Sequence, residues 1–579
     1  METPGPEETG SKRDRVALVL LILALLGGLL YARLQSNVFP TASLSLPLSR
    51  SEIVQRARSF AGQQGYDGRL WPLDKADGAR KKEIESITFT SFDEAKTFLE
   101  YELGLSQAGA IMRDKVPVWA WSVRFCREFT IEQCRVWLSP DGALVGYLRT
   151  LEEERRLPSL SHQEALYLAS DFLKLEGRVQ EGTLKLVRDE TNARVHRTDH
   201  SFTFEDKRED FHGGKLRHFV EVSGNMVTGY NRYLFVPDSW SRKYNNMRSY
   251  NELLQRIANI FYSTLQIISA LVVPWALSRK QMRWRFAVFG GLTMALTGFL
   301  DCVNDFESIQ AAYDTTSSYN DYLLAYFGRS GASALGSMLF GGLLFGGADV
   351  VYRHFYPGRV ALENFLKPAG FFTREGSKAL YIGYLVALVH LGWIVLYYLL
   401  GEKFSFWCPS GIDSVEVLSA TVPFYSAVSL GLHAASQEET VARIVGLSLA
   451  WKATGRFWLA NLLQAVIWAF MHSSYPQQPC FARGVELTVV GLFYGFVLRR
   501  YGLLPCFIGH YLLDAFLDVK PLLSVGPGQL WLWLSSFIPL VPFLLLFFLS
   551  LFVTRLRAES PKVDGETSVH ETGDAALTN

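Results

Sequence analysis

Three polar clusters interrupt apolar sequence late in the chain: Glu438-Glu439-x-x-x-Arg443, Trp468-x-x-x-His472 and His510-x-x-x-Asp514. An ionisable group at the middle of a membrane helix costs about 2.5 to 3.5 kcal/mol, so several kept together imply a chemical use. Carboxylates and imidazoles are the groups that move protons to and from water or hold a metal ion. The chemistry implied is hydrolysis of a peptide bond. Glu438 is the expected general base and His472 orients the same water or a metal, while His510 with Asp514 stabilises the developing oxyanion.

These residues must be brought together by helices. Thr454-Gly455 breaks the helical pattern, and Glu438 and His472 each lie 17 residues from Gly455, on opposite sides. An antiparallel hairpin therefore sets them at one depth. His510 and Asp514, four apart, share a face of a third helix. Glu439 and Arg443 have the same spacing and are expected to form a structural ion pair, which leaves Glu438 free for chemistry. Gly342-x-x-x-Gly346 and Gly491-x-x-x-Gly495 allow close helix approach. Asp349 and His390 are expected to be satisfied interior or interfacial groups.

The rest of the chain reads as membrane protein with a soluble portion. Of 579 residues 49% are hydrophobic and 14% aromatic, too apolar for an ordinary multidomain soluble protein. The net charge of +1 and the lack of a long Lys/Arg tract exclude a nucleic-acid footprint. Val16 to Leu30, preceded by Lys12, Arg13 and Arg15, reads as a signal anchor that keeps the amino terminus cytoplasmic. Expected spans are Ile257–Leu277, Phe286–Leu300, Ala332–Tyr352, Ala379–Leu400, Val415–His433, Phe457–His472, Val485–Leu498, Leu503–Leu517 and Leu530–Val553. A helix over Ser436–Trp451 is either a tenth crossing or a partial helix joined to its predecessor. The second count is preferred because it keeps Lys452, Arg456, Arg499 and Arg500 cytoplasmic. The fold class is thus mainly α, a polytopic transmembrane helical bundle with an N-terminal extracytoplasmic α+β region of two repeated modules.

The modules are read from a duplication within residues 35–255. Ser49-x-x-Glu52 with Ala57 and Phe60 returns as Ser161-x-x-Glu164 with Ala169 and Phe172, each pair at one constant offset. Both openings are capping boxes. Strand-like alternation follows at 118–125 and 216–222, and each copy closes on a Gly-Tyr step, Gly146-Tyr147 and Gly229-Tyr230. In pattern this resembles the PepSY-like modules found outside bacterial membranes. Cys126 and Cys134 flank a short polar stretch and are expected to form a hairpin disulfide if the region is extracytoplasmic. Cys302 and Cys506 read as small apolar fillers. The expected division is 1–34 cytoplasmic terminus and anchor, 35–255 duplicated region, 256–415 preceding helices, 416–554 protease core and 555–579 disordered tail.

Over Gln437 to Asp514 the motifs resemble the CPBP intramembrane metalloproteases, the group with the type II CAAX prenyl endopeptidases and ABI proteins. That pattern runs E-E-x-x-x-R, F-x-x-x-H, a Gly-spaced helix, then H-x-x-x-N or H-x-x-x-D. Glu438, Glu439 and Arg443 fill the first motif, His472 the second, Gly491 and Gly495 the third, His510 and Asp514 the last. Trp468 stands where Phe is usual, a conservative aromatic exchange, and Asp514 stands where Asn is common. The resemblance implies a multi-pass endopeptidase acting on a membrane-associated or lipidated peptide. His472, His510 and Glu438 are the expected ligands if zinc takes part, and no other cofactor is implied. A scaffold that has lost activity would lack a motif residue, and none is missing. A proton-coupled transporter would spread its charges along a path or an inverted copy, which these are not. The absence of any N-x-S/T acceptor favours a bacterial inner membrane.

Overall fold

The structure is a computed structural model and describes residues 15–39, 43–66, 83–177, 179–180, 182–357, 359, 362–408 and 415–559. The expected cytoplasmic segment before Arg15 and the expected disordered tail beyond Glu559 lie outside the described residues. In chain order the elements are α1 (Arg15–Leu34), α2 (Arg50–Gln63), β1 (Ile84–Ser91), α3 (Asp93–Leu103), α4 (Leu105–Asp114), β2 (Trp119–Cys126), β3 (Gln133–Leu138), β4 (Leu144–Thr150), α5 (His162–Leu175), β5 (Leu184–Ala193), β6 (Thr198–Asp206), β7 (Lys215–Ser223) and β8 (Met226–Phe235). There follow α6 (Asp238–Ser278), α7 (Trp284–Asn304), α8 (Phe306–Ala311), α9 (Tyr319–Phe355), α10 (Pro368–Phe371), α11 (Arg374–Gly401), α12 (Pro423–Glu438), a π-helical segment (Glu439–Gly446), α13 (Leu447–Thr454), α14 (Phe457–Phe470), α15 (Ala482–Tyr501), α16 (Leu503–Val519), α17 (Leu530–Ser535) and α18 (Val541–Glu559).

Both predicted capping boxes form. The Ser49 and Ser161 side chains accept from the amides of Glu52 and Glu164, whose carboxylates return to the cap amides. The eight strands make one antiparallel sheet in the order β1-β2-β3-β4-β8-β7-β6-β5. Its second half mirrors the first across the β4–β8 seam, where Tyr147 pairs with Tyr230. On β3 and β7 buried positions alternate with part-exposed ones, as a sheet with one face on a core requires. The rings of Phe60 and Phe172, from α2 and α5, lie against Tyr147 and Tyr230 over that seam.

The expected disulfide does not form, and Cys126 and Cys134 are free and buried. Register is the reason: Cys134 lies opposite Phe125, so Cys126 projects from the other face of the sheet. Burial pushes the Cys134 thiol up to about 12, well away from the reactive thiolate.

Among the described residues six helical stretches are long and apolar enough to cross a membrane: Arg15–Asn37, Asp238–Ser278, Trp284–Asn304, Tyr319–Phe355, Arg374–Phe404 and Pro527–Arg555. The chain is a multi-pass membrane protein. The expected boundary near residue 255 falls inside α6, which leaves β8 through Pro237 and runs on without interruption, roughly 60 Å at 1.5 Å per residue. The anchor α1 is packed into the bundle, with Gly27 so close to Gly392 of α11 that a Cβ on Gly392 would lie 2.2 Å from the Gly27 Cα. The expected span Val415–His433 begins late, because Pro423 opens the helix after a short turn at Glu416–Leu418. From Pro423 to Thr454 the helical run is continuous, α12, the π-helical segment and α13 following one another without a break, so the Ser436–Trp451 helix is joined to its predecessor.

The sheet is seated on the bundle by its β1 edge. The Ile87 amide donates to Glu307 (3.0 Å) and the Phe89 amide to the Ser419 hydroxyl (2.8 Å). An edge strand is thereby closed by side chains of the membrane region. Basic groups gather elsewhere: Arg353 bonds the Gln281 carbonyl, Arg283 pairs with Glu363, and Arg359 bonds the Arg499 carbonyl.

His218 on β7 tests the packing of the sheet. It is 2% exposed, 3.1 Å from the Tyr230 hydroxyl, and burial followed by the Arg232 charge lowers its pKa to about 4. The unfolded value near 6.5 lies above this, so neutral His218 stabilises the fold fully above pH 6.5 and the contribution is lost as pH falls toward 4. The loss amounts to about 3 kcal/mol. Thermal unfolding followed by tryptophan fluorescence should show that slope, and His218→Gln should flatten it. An equal slope in both proteins would refute the assignment.

Candidate active site

The π-helical segment begins immediately after Glu438, and such i→i+5 insertions recur at functional sites. It places the two consecutive carboxylates in different surroundings. Glu439 is 1% exposed and meets the Arg443 Nε at 3.3 Å, the predicted ion pair. Arg443 is sealed between aromatic faces, its guanidinium carbon 3.8 Å from the Trp468 ring centroid and 5.3 Å from that of Tyr494. Glu439 does more than neutralise Arg443, because its second oxygen holds His510 Nδ1 at 2.8 Å.

Glu438 faces a cavity instead. Its Oε2 accepts the Trp468 indole N–H at 2.6 Å and lies 3.5 Å from His472 Nε2 and 3.9 Å from His510 Nε2. His510 Nε2 is also 3.3 Å from Asp514. All four predicted site residues are therefore together, carried by α12, the turn after α14, and α16. The hairpin broken at Gly455, whose φ is +66°, puts Glu438 and His472 at one level as its spacing required.

The Trp468 exchange is not the neutral aromatic swap expected from the sequence. A phenyl ring fills space but carries no donor, whereas the indole N–H is bonded to the proposed base. Trp468 also orients His472 through its backbone, its carbonyl accepting from Nδ1 at 2.9 Å. A carbonyl only accepts, so Nδ1 donates to it, and this bond turns Nε2 toward Glu438. The loop that follows His472 is tied to α6: Arg248 donates to the carbonyls of Ser474 and Tyr475, and Asn251 to those of Tyr475 and Gln477.

The spaced glycines do their packing work at one contact above all. A Cβ on Gly495 would fall 1.8 Å from the Asn461 side chain, so α15 and α14 touch where any larger residue would part them. Asp349 Oδ2 is paired with Arg353 at 2.8 Å, while its Oδ1 is buried without a hydrogen-bond partner among the described residues, so the expectation of a satisfied group is met in part. His390 departs from that expectation. It borders the cavity, with Nδ1 3.5 Å from the Tyr494 hydroxyl.

The cavity is about 390 Å³ and is lined by Glu438, His472, His510 and Asp514 from the bundle and by Ser91, Asp93 and Lys96 from the sheet domain. It therefore borders the side of the membrane that carries the sheet. Sequence reasoning missed His390, Arg483, Tyr475 and Lys96 as lining residues, because none belongs to a local motif and only the folded chain brings them near.

The donor set fits zinc in kind. Each histidine has Nδ1 anchored on an acceptor and Nε2 turned toward the Glu438 carboxylate, and outer hydrogen bonds of this kind orient metal-binding imidazoles. The Glu438 carboxylate lies 3.5 Å from His472 Nε2 and 3.9 Å from His510 Nε2, against roughly 3.4 Å between ligands of tetrahedral zinc. Among the described residues, however, no group of three is already arranged to hold a metal ion.

Residues 420–516 match the family model described as type II CAAX prenyl endopeptidase Rce1-like. Over these residues the chain is similar to that family. The match spans Glu438, His472, His510 and Asp514 and ends on α16, so the resemblance carried by the motifs and the independent match agree. No curated protein matches the chain, and no solved structure does. The sheet domain lies wholly outside the Rce1-like segment.

The Trp468 contact yields an expected outcome. Trp468→Phe keeps the ring and deletes the donor to a carboxylate, a bond worth about 1.5 to 3 kcal/mol. Peptide cleavage should fall roughly 10- to 100-fold, with the thermal midpoint little changed. Full activity in this variant would remove the indole from the site.

Proposed function

We propose that the protein is an intramembrane endopeptidase that hydrolyses a peptide bond of a membrane-associated or lipidated substrate. The observation that carries the reading is the convergence of Glu438, His472, His510 and Asp514 on one cavity within an Rce1-like core. Glu438 takes a proton from water as the oxygen adds to the scissile carbonyl carbon. Trp468 and His472 hold that carboxylate and its water in place. His510, set between the carboxylates of Glu439 and Asp514, donates to the oxyanion. Collapse of the intermediate breaks the C–N bond, and the proton held by Glu438 passes to the leaving amine.

His472, His510 and Glu438 would hold a zinc ion. When bound, such an ion supplies Lewis-acid polarisation of the carbonyl and of water.

The sheet domain is proposed to be extracytoplasmic and to have arisen by duplication of a helix-plus-meander module. Two observations support this. The mirrored strand order meets at matched tyrosines, and the basic loops around Arg283, Arg353, Arg359 and Arg499 contact one another while the segment after α7 contacts the sheet. Positive loops belong in the cytoplasm, and on that rule the proposed place of the sheet and the cavity is the other side. A bacterial inner membrane is the proposed location.

The test is cleavage of a panel of lipidated and unlipidated peptides by purified protein in bilayer discs, with metal content measured on the same samples. Glu438→Gln should lower the rate roughly 100- to 10,000-fold, the usual share of a general base, and His510→Ala should be similarly impaired. A chelator that abolishes cleavage, with recovery on zinc, would establish the metal. Cleavage unaffected by Glu438→Gln would sink the proposed base.

A further inference from the structure

The Rce1-like segment contains the reacting groups, yet part of the cavity wall comes from outside it. Ser91 ends β1, and Asp93 and Lys96 lie in the first turn of α3, all in the sheet domain. Lys96 is 2% exposed. A buried ammonium is costly unless it is paired. Its ammonium lies 2.7 Å from the Ser91 hydroxyl, 3.2 Å from Asp93 and 5.9 Å from the Trp119 ring centroid. An ammonium has three N–H donors. Two meet oxygen, and among the described residues the third meets none. The compensating carboxylate is itself weak, because the Asp93 side chain is 76% exposed and screened by water. The cavity thus has the proposed base in the bundle and, on the domain that covers it, an ammonium with one donor unmet among the described residues.

We propose that Lys96 is a specificity-determining residue whose ammonium binds a carboxylate on the substrate, so that the sheet domain selects what the bundle cleaves. The inference rests on the protease reading above. The carboxylate has two chemical sources, the free carboxy terminus of a peptide or an acidic side chain within it. Either one replaces water at the third donor and competes with Asp93 for the charge. Binding should therefore be weakened by loss of Lys96 and strengthened by loss of the Asp93 charge, two changes of opposite sign on the same turn of α3.

The experiment uses full-length protein carrying Glu438→Gln, so that peptides bind without turnover. Labelled peptides are compared in two matched pairs, terminal carboxylate against terminal amide, and an internal Asp against Asn. One pair should show a preference for the carboxylate of roughly 10- to 100-fold, the range for a charge-assisted hydrogen bond. The pair that shows it identifies the source. Lys96→Met should abolish the preference while leaving the affinity for the neutral peptide unchanged, Lys96→Arg should retain it, and Asp93→Asn should widen it. No preference in either pair, or a preference that survives Lys96→Met, overturns the proposal, as does an equal loss of affinity for charged and neutral peptides. A Lys96-dependent preference in a protein whose parent cleaves nothing would instead overturn the protease reading and leave the recognition standing.

Discussion

A single buried ion pair organises the membrane core. Taking Glu439 and Arg443 out of water is costly, and the attraction between them repays it only when the remaining polar atoms and the surrounding faces are well arranged. Trp468 and Tyr494 cover the guanidinium, and His510 occupies the other carboxylate oxygen. Each of these partners comes from a different helix. Once the pair is in place, α14 and α16 are fixed against the π-helical segment, and the indole N–H and backbone carbonyl of Trp468 locate Glu438 and His472 in turn. The residues proposed to react thus inherit their positions from residues that do not.

The division between soluble and membrane portions is less sharp than the composition suggests. Residues of β1 and α3 form part of the cavity, and α6 leaves the sheet to hold the loop after His472 through Arg248 and Asn251. A cavity with one wall in each portion joins the chemistry of the bundle to whatever the sheet encounters. An Rce1-like core alone would present a different opening.

Legibility in the sequence followed the range of the interaction. The capping boxes at Ser49 and Ser161, the break at Gly455 and the i, i+4 spacing of His510 and Asp514 are local, and each was readable before folding. The grouping of Glu438 with His472 was readable because a hairpin converts equal separation into equal depth. The Cys126–Cys134 pairing was misread because alternation shows that a strand exists and leaves its register against the neighbour open. Trp468 looked interchangeable with Phe because its ring does pack as an aromatic, and only the position of the Glu438 oxygen reveals the use of the N–H. Lys96 carried no signal at all. Its partners are local, but the bundle residues of the cavity it borders lie 294 or more positions away.

The β1 edge has a consequence for biogenesis. Its amides are capped by Glu307 and Ser419, residues the ribosome delivers long after the strand itself has emerged. Until they arrive, the sheet has an open margin able to pair with any other extended chain. Translation order therefore imposes an interval in which the soluble portion is complete in sequence and unfinished in hydrogen bonding. The interval closes only when Ser419, just ahead of the Rce1-like segment, has been made and docks.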